Sequence, residues 1–552
     1  MEIHRSDFPP EFLFGAATSS YQIEGGVREG GRGLSNWDFL CNSTPGKAQG
    51  QNGNVACYSY GLYKEDVKIC KKLGLDSYRF SISWSRVLPG GRLSAGVNRE
   101  GIQYYNNLID ELLANGIQPF VTLHHFEVPQ ILEEQYGGFL DKRIIKDYLD
   151  LAELCFWEFG DRVKYWTTFN EPWTFIYFGY VTGQFPPCRG SSSEEHAKLS
   201  AVQHKTHLRN PLVCEDGDPG VEPYTAARNL LLAHAEAVDL YRKKFKAQGG
   251  QIGITLVAHW FEPFHHHLER DIHAAQRVQD FMLGWFMDPI TYGRYPKSMT
   301  DNVPPERLQR FSEEESIQLR GSYDFLGLNY YTARYVVAAS VLHSGPPSYI
   351  TDSHATHKNN GPDGNPIGEP TECDWLFSYP KGMHKILHYI KQRYNDPPIF
   401  ITENGLADKN HPDYTVSEAC NDETRIEYLR EHLKEIRLAM IENRVNVKGY
   451  FVWSLMDNFE WASGYNYRFG LVYVNFTDRY LSRFPKNSAL WYMNFLDKKY
   501  RPIPHPLKNN ALLEDETISP TSTSPLPYQT NAPNSGEMVV HEGTPTKRHR
   551  KT

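Results

Sequence analysis

Ile144-Ile145-Lys146-Asp147-Tyr148-Leu149-Asp150-Leu151-Ala152-Glu153-Leu154-Cys155-Phe156-Trp157-Glu158-Phe159 is followed, after Gly160-Asp161-Arg162, by Val163-Lys164-Tyr165-Trp166-Thr167-Thr168-Phe169-Asn170-Glu171-Pro172. The first part is amphipathic at helical spacing. The second is a short apolar and aromatic run that breaks at Asn170-Glu171-Pro172, so it reads as a strand with a polar end. The same pair of patterns recurs along the chain. Further runs are Leu13–Thr18, Leu75–Ser83, Gln118–His124, Ile252–Ala258, Tyr323–Asn329, Pro398–Thr402 and Lys448–Ser454. Amphipathic stretches between them include Tyr104–Ala114, Thr225–Phe245 and Asp422–Glu442. Strand alternating with helix predicts a parallel sheet. Eight such runs predict an α/β fold: a single (β/α)8 barrel with long βα-loop insertions, over residues 1–507. A doubly wound sheet is the competing fold. The chain has no Gly-x-Gly-x-x-Gly after a strand to support it.

The chain has 552 residues, 40% of them hydrophobic, which excludes disorder throughout. Its formal net charge of −8 disfavours nucleic acid or a membrane surface as partner. No apolar stretch approaches the ~18–20 residues of a membrane span. The opening Met1-Glu2-Ile3-His4-Arg5 lacks an apolar secretory region, so the expected compartment is not the secretory one. The sequons Asn42-Ser43-Thr44 and Asn475-Phe476-Thr477 are then expected to stay unmodified. Eight cysteines without a Cys-x-x-Cys pair make neither a disulfide framework nor a zinc site. Cys188 and Cys214 flank a polar loop and are the one pair worth testing for a bridge. Residues 508–552, rich in Pro, Ser, Thr, Asn and Glu, are expected to be a disordered tail. It ends in Lys547-Arg548-His549-Arg550-Lys551, which reads either as a nuclear import signal or as a solvated charged end. The nucleus or the cytoplasm is therefore the expected location.

Charged residues gather where the runs end. Glu171 follows one, Glu403-Asn404-Gly405 follows another, and Asp457, Asn458, Glu460 and Trp461 follow the last. In a barrel these ends converge on one face. Glu171 and Glu403 can meet there, and two carboxyls at one site are the minimum for glycoside hydrolysis. A lone Glu at a strand end is usually a cap or ion-pair partner; two in matched Asn-rich settings weaken that reading. An aromatic content of 13% fits flat, partly apolar ligands such as sugars, although a large core also raises it.

These residues carry a resemblance. Thr168–Pro172 resembles the acid/base motif of family 1 glycoside hydrolases, and Ile401–Gly405 resembles that family's nucleophile motif. Phe14–Gly25, Tyr78–Trp84, Leu328–Thr332 and Trp453–Trp461 resemble four further motifs, in family order. The resemblance implies a retaining mechanism with carboxyls ~5–5.5 Å apart, Glu171 as acid/base and Glu403 as nucleophile. It implies that Arg79 and Tyr331 hold Glu403, and that Asn170 bonds the sugar 2-hydroxyl. Gln22, His125, Asn329, Tyr331, Trp453, Glu460, Trp461 and Phe469 match substrate-binding positions; Trp173 and Trp375 match the aglycone side. The two Glu suffice for the chemistry, so no cofactor and no metal is expected. One departure stands out. In His124-His125-Phe126-Glu127, Phe126 replaces the family's usual Trp, whose N–H reaches the 3-hydroxyl; losing such a donor costs ~1–3 kcal/mol. His124 is also unusual there, and either donates to Glu127 or packs.

Within the family the chain is most similar to plant glucosidases of the strictosidine, ipecac-alkaloid and oleuropein kind. The implied partner is a small-molecule glucoside, with self-association left open. A broader β-glucosidase of small aryl or terpenoid glucosides is the alternative, and a catalytically weak glycoside-binding barrel is the alternative of another class. Thioglucosidases usually lack the acid Glu that Glu171 supplies, and Glu460 would repel the phosphate of a phospho-glycoside.

Overall fold

The computed structural model describes residues 2–191, 214, 216–339 and 346–497. Residues 508–552, with the Lys547–Lys551 run, lie outside the described residues, as does most of the loop between Cys188 and Cys214. The thiols of Cys188 and Cys214 are both free.

Eight parallel strands close into a barrel: β1 (Leu13–Ala17), β2 (Ser77–Ser81), β3 (Gln118–His124), β4 (Tyr165–Asn170), β5 (Gln251–Val257), β6 (Leu326–Asn329), β7 (Ile399–Asn404) and β8 (Val447–Trp453). Each pairs with its neighbours in sequence, and β1 closes on β8 from Leu13↔Gly449 to Ala17↔Trp453. Every apolar run of the sequence thus supplies one stave. The Tyr323–Asn329 run starts its strand three residues late because Asp324 turns its carboxylate to the Ile252 N–H, 2.9 Å away, and so caps the neighbouring strand.

The amphipathic stretches become the outer helices α1 (Arg99–Ala114), α2 (Arg143–Phe159), α3 (Glu222–Leu240) and α4 (Glu423–Glu442). On α2 the buried residues include Ile144, Tyr148, Leu151, Cys155 and Phe159, the stripe that its spacing predicts. The stretch read as Thr225–Phe245 is α-helical only to Leu240; Tyr241–Phe245 widens into a π-helical turn.

The interior of the barrel is layered. Near the strand starts, Phe120 packs against Tyr165, Phe325, Phe400 and Phe451 with ring centroids 5.0–5.6 Å apart. Above this plug the hydroxyls of Thr122 and Thr167 meet at 2.7 Å. At the strand ends stand Asn170, Asn329 and Glu403, and Arg79, midway along β2, reaches them with its guanidinium. The floor is aromatic, and the charged groups gather toward the carboxyl-terminal face.

Two additions build the rim. Trp260–Pro263, Ala333–Ala338 and Ala355–Lys358 form a three-stranded sheet from the loops after β5 and β6, with Ala333–Ala338 at its centre. After β8, the chain from Ser454 to Val474 is fastened by Asp457. Its carboxylate accepts from Lys486 Nζ at 2.8 Å, Arg468 Nη1 at 2.7 Å and the Gly470 N–H at 3.0 Å. Burial alone raises a carboxyl pKa, but Lys486 and Arg468 outweigh it and hold Asp457 below the ordinary carboxylate range.

Candidate active site

Strand β7 ends by presenting Glu403, and side chains from β2 and from just past β6 hold it. Arg79, fully buried on β2, donates from Nη1 to Glu403 Oε1 at 2.6 Å and from Nη2 to Asn170 Oδ1 at 2.7 Å. The Tyr331 hydroxyl donates to Glu403 Oε2 at 2.7 Å. Each carboxylate oxygen therefore receives one strong donor, the arrangement that makes a buried carboxylate tolerable. The glycine two residues on is forced: a Cβ at Gly405 would lie 1.8 Å from the Trp453 carbonyl oxygen.

Glu171 sits at the end of β4 with φ +42, in the left-handed region. Its N–H bonds the Thr255 carbonyl at 2.9 Å, and Pro172 then opens the short helix Pro172–Ile176. Thr174 donates to Glu171 Oε2 at 2.6 Å and Asn329 Nδ2 donates to Oε1 at 2.6 Å. Thr402 fixes the sense of the Asn329 amide by donating to its oxygen at 2.7 Å. Burial, then the charge of Glu403, pushes Glu171 up to about 7. The two hydrogen bonds from neutral donors pull the other way and do not overcome this.

Both carboxyls line one cavity of about 190 Å³. His125, Asn170, Tyr331, Trp453, Glu460, Trp461, Phe469, Trp173 and Trp375 line it as well. Gln22, Arg79 and Asn329 lie behind this lining. The Gln22 amide nitrogen bonds Asn458 Oδ1 and the Phe459 carbonyl, both at 2.9 Å, and comes within 3.5 Å of Glu460 Oε2. Burial, then the charges of Glu403 and Glu171, pushes Glu460 up to about 8. Burial, then Arg79, keeps His125 neutral, with its Nε2 3.1 Å from Asn170 Nδ2.

Phe126 lines the cavity where an indole is usual. Its ring packs 5.1 Å from Trp461 and 5.9 Å from Phe185. Its φ is +71, and Trp461 has φ +49, so three left-handed residues, with Glu171, surround the cavity. Such strain clusters where a site over-determines the backbone. His124 packs: its ring lies among Trp84, Phe139, Phe169 and Phe175, and burial drives it down to about 3. Glu127 accepts instead from Ser20 at 3.1 Å.

Among the lining residues that escaped the sequence reading are Thr174, His259, Arg334 and His357. Thr174 carried a usable signal, three residues past Glu171 at a helix start. The other three belong to the rim sheet or its approach, and no motif marks them.

A closed parallel barrel with two buried carboxyls on its carboxyl-terminal face, one fixed by a cation and one with a raised pKa, is the apparatus of a glycoside hydrolase. Residues 4–500 match the family described as glycosyl hydrolase family 1, and the chain belongs to that family. It is accordingly an O-glycosyl hydrolase of the retaining β-glucosidase type. The raucaffricine-O-β-D-glucosidase of Rauvolfia serpentina is 55% identical over 522 residues, 94% of this chain and 96% of that protein. The oleuropein β-glucosidase of Olea europaea is 50% identical over 517 residues, 92% of this chain and 91% of that protein. A rice β-glucosidase, solved as a mutant in a covalent complex with Glc, superposes with a TM-score of 0.84 at 42% identity, covering 90% of this chain and 100% of that one.

Proposed function

We propose that the protein hydrolyses the O-β-D-glucosidic bond of a plant specialised-metabolite glucoside, an alkaloid or secoiridoid glucoside of the strictosidine kind, through a covalent glucosyl-enzyme. The observation that carries this reading is the unequal setting of two carboxyls in one cavity. Glu403 is anchored by Arg79 and Tyr331, whereas Glu171 is raised to about 7. Glu403 Oε attacks the anomeric carbon as the glycosidic bond breaks. Glu171 gives its proton to the departing aglycone oxygen. Esterification removes the Glu403 charge, the second cause of the high Glu171 pKa. Glu171 then becomes acidic enough to act as base on water, and hydroxide delivered to the anomeric carbon releases glucose and restores Glu403.

Asn170 serves the 2-hydroxyl, where a contact strengthens in the transition state. His125, Glu460 and Trp461 serve the remaining hydroxyls, over the Trp453 indole, and Gln22 backs Glu460 from behind the lining. Trp173 and Trp375 receive the aglycone. The Trp173 N–H is held by Tyr349 at 2.6 Å and its ring lies stacked on Tyr177, so it acts as a fixed apolar plate. The two plant relatives support the substrate class by their names alone. The test is hydrolysis of an aryl β-D-glucoside beside strictosidine and oleuropein, with Glu403→Gln as control. Cleavage by the natural chain and none by the variant is expected. A folded natural chain inert on every glucoside contradicts the reading.

A further inference from the structure

The rim sheet gives the cavity wall a chemical character that the two catalytic carboxyls do not use. Arg334, second residue of the central strand Ala333–Ala338, is 8% exposed and lines the cavity with His259, His357 and Trp375. Its guanidinium donates to Thr332 Oγ1 at 3.1 Å, to the Ala333 carbonyl at 2.7 Å and to the Trp375 carbonyl. All three acceptors are neutral. The buried arginines Arg79, Arg86, Arg425 and Arg468 each face a carboxylate, at Glu403, Glu24, Asp422 and Asp457. Arg334 faces none among the described residues.

The groups beside it do not supply the missing charge. Burial, then Arg334 itself, keeps His259 and His357 neutral. Burial pulls Arg334 down to about 10, which leaves it cationic at neutral pH. The cavity's own acids offer little repulsion to an incoming anion. Glu403 is paired with Arg79, and Glu171 and Glu460 are raised to about 7 and about 8. A buried cation without a counter-charge is unfavourable. A guanidinium presents a planar fork of donors whose best complement is a carboxylate.

We propose that Arg334 is a specificity residue for the leaving portion of the substrate, and that it recognises a carboxylate carried by the aglycone. This deepens the β-glucosidase reading and rests on it. Arg334 also straps the strand Ala333–Ala338 to the Trp375 loop, so loss of activity in a variant would not separate recognition from support. A ratio of two substrates does.

The probes are 4-(carboxymethyl)phenyl and 4-(carbamoylmethyl)phenyl β-D-glucoside. They differ in charge, while the methylene insulates the phenolic leaving oxygen. The natural chain is expected to favour the carboxylate in kcat/KM by roughly tenfold, the scale of one charged hydrogen-bonded contact. Arg334→Met is expected to bring the ratio to one or below, and Arg334→Lys to restore part of the preference. A ratio at or below one in the natural chain overturns the proposal, whether or not a variant folds. An unchanged ratio in Arg334→Met overturns it too. Cleavage of the amide glucoside keeps the β-glucosidase reading standing when the ratio fails; cleavage of neither probe removes both.

Discussion

Among the described residues Glu171 accepts hydrogen bonds only from neutral donors, Thr174 and Asn329, whereas Glu403 accepts from a guanidinium and a phenol. With Glu171 as the acid, kcat/KM should fall as pH rises through about 7, where its carboxyl ionises. In Glu171→Gln that basic limb should vanish, and activity on a glucoside with a poor leaving group should drop ~10²–10⁴-fold, the range for a lost acid catalyst. A leaving group that needs no proton should lose much less. The same shift acts on stability. The folded pKa lies above the ordinary 4.5, so the fold binds this proton more tightly than the unfolded chain. That contribution is complete below pH 4.5 and is lost as pH rises through about 7. Glu171→Gln, neutral throughout, should therefore melt higher than the natural chain above pH 7, which a pH series of Tm values checks. A basic limb that survives in the glutamine variant would assign the acid elsewhere.

At the scale of elements, all eight strands were legible as apolar runs, because a stave buried on both sides must be apolar and short. The sites at their ends were legible for a related reason: Asn170-Glu171 and Glu403-Asn404 end the strands Tyr165–Asn170 and Ile399–Asn404, which otherwise have no charge. Strand starts were less visible, since a carboxylate such as Asp324 can cap a neighbour rather than extend its own strand. Arg334, His259 and His357 were not legible at all. They reach the cavity through pairing between loops after different strands, and nothing local records that. The loop from Ser454 to Val474 carries Glu460, Trp461 and Phe469 and is tied down by Asp457. Asp457→Asn leaves Lys486 and Arg468 buried without their counter-charge, which costs ~3–5 kcal/mol. The expected result is a lower Tm together with a raised KM for glucosides. An unchanged KM in the folded variant would detach this loop from substrate binding.

For the whole molecule, the family match ends at residue 500, just short of the boundary read at 507 from composition. We propose that the catalytic domain spans residues 1–507. Truncation after 507 should leave kcat/KM and Tm unchanged, and a fall in either would place part of the fold in the tail. We further propose that the Lys547–Lys551 run directs nuclear import. A fluorescent fusion should enter the nucleus and return to the cytoplasm when those basic residues are changed to Gln. Among the described residues no helix is long and apolar enough to cross a membrane. The most direct test of the central claim, a glucosyl-enzyme on Glu403, is mass spectrometry of the protein treated with an activated 2-deoxy-2-fluoro-β-D-glucoside. The account predicts one added fluoroglucosyl group, located on the peptide that contains Glu403 and absent from Glu403→Gln. A label on another residue, or turnover with no label at all, would contradict it.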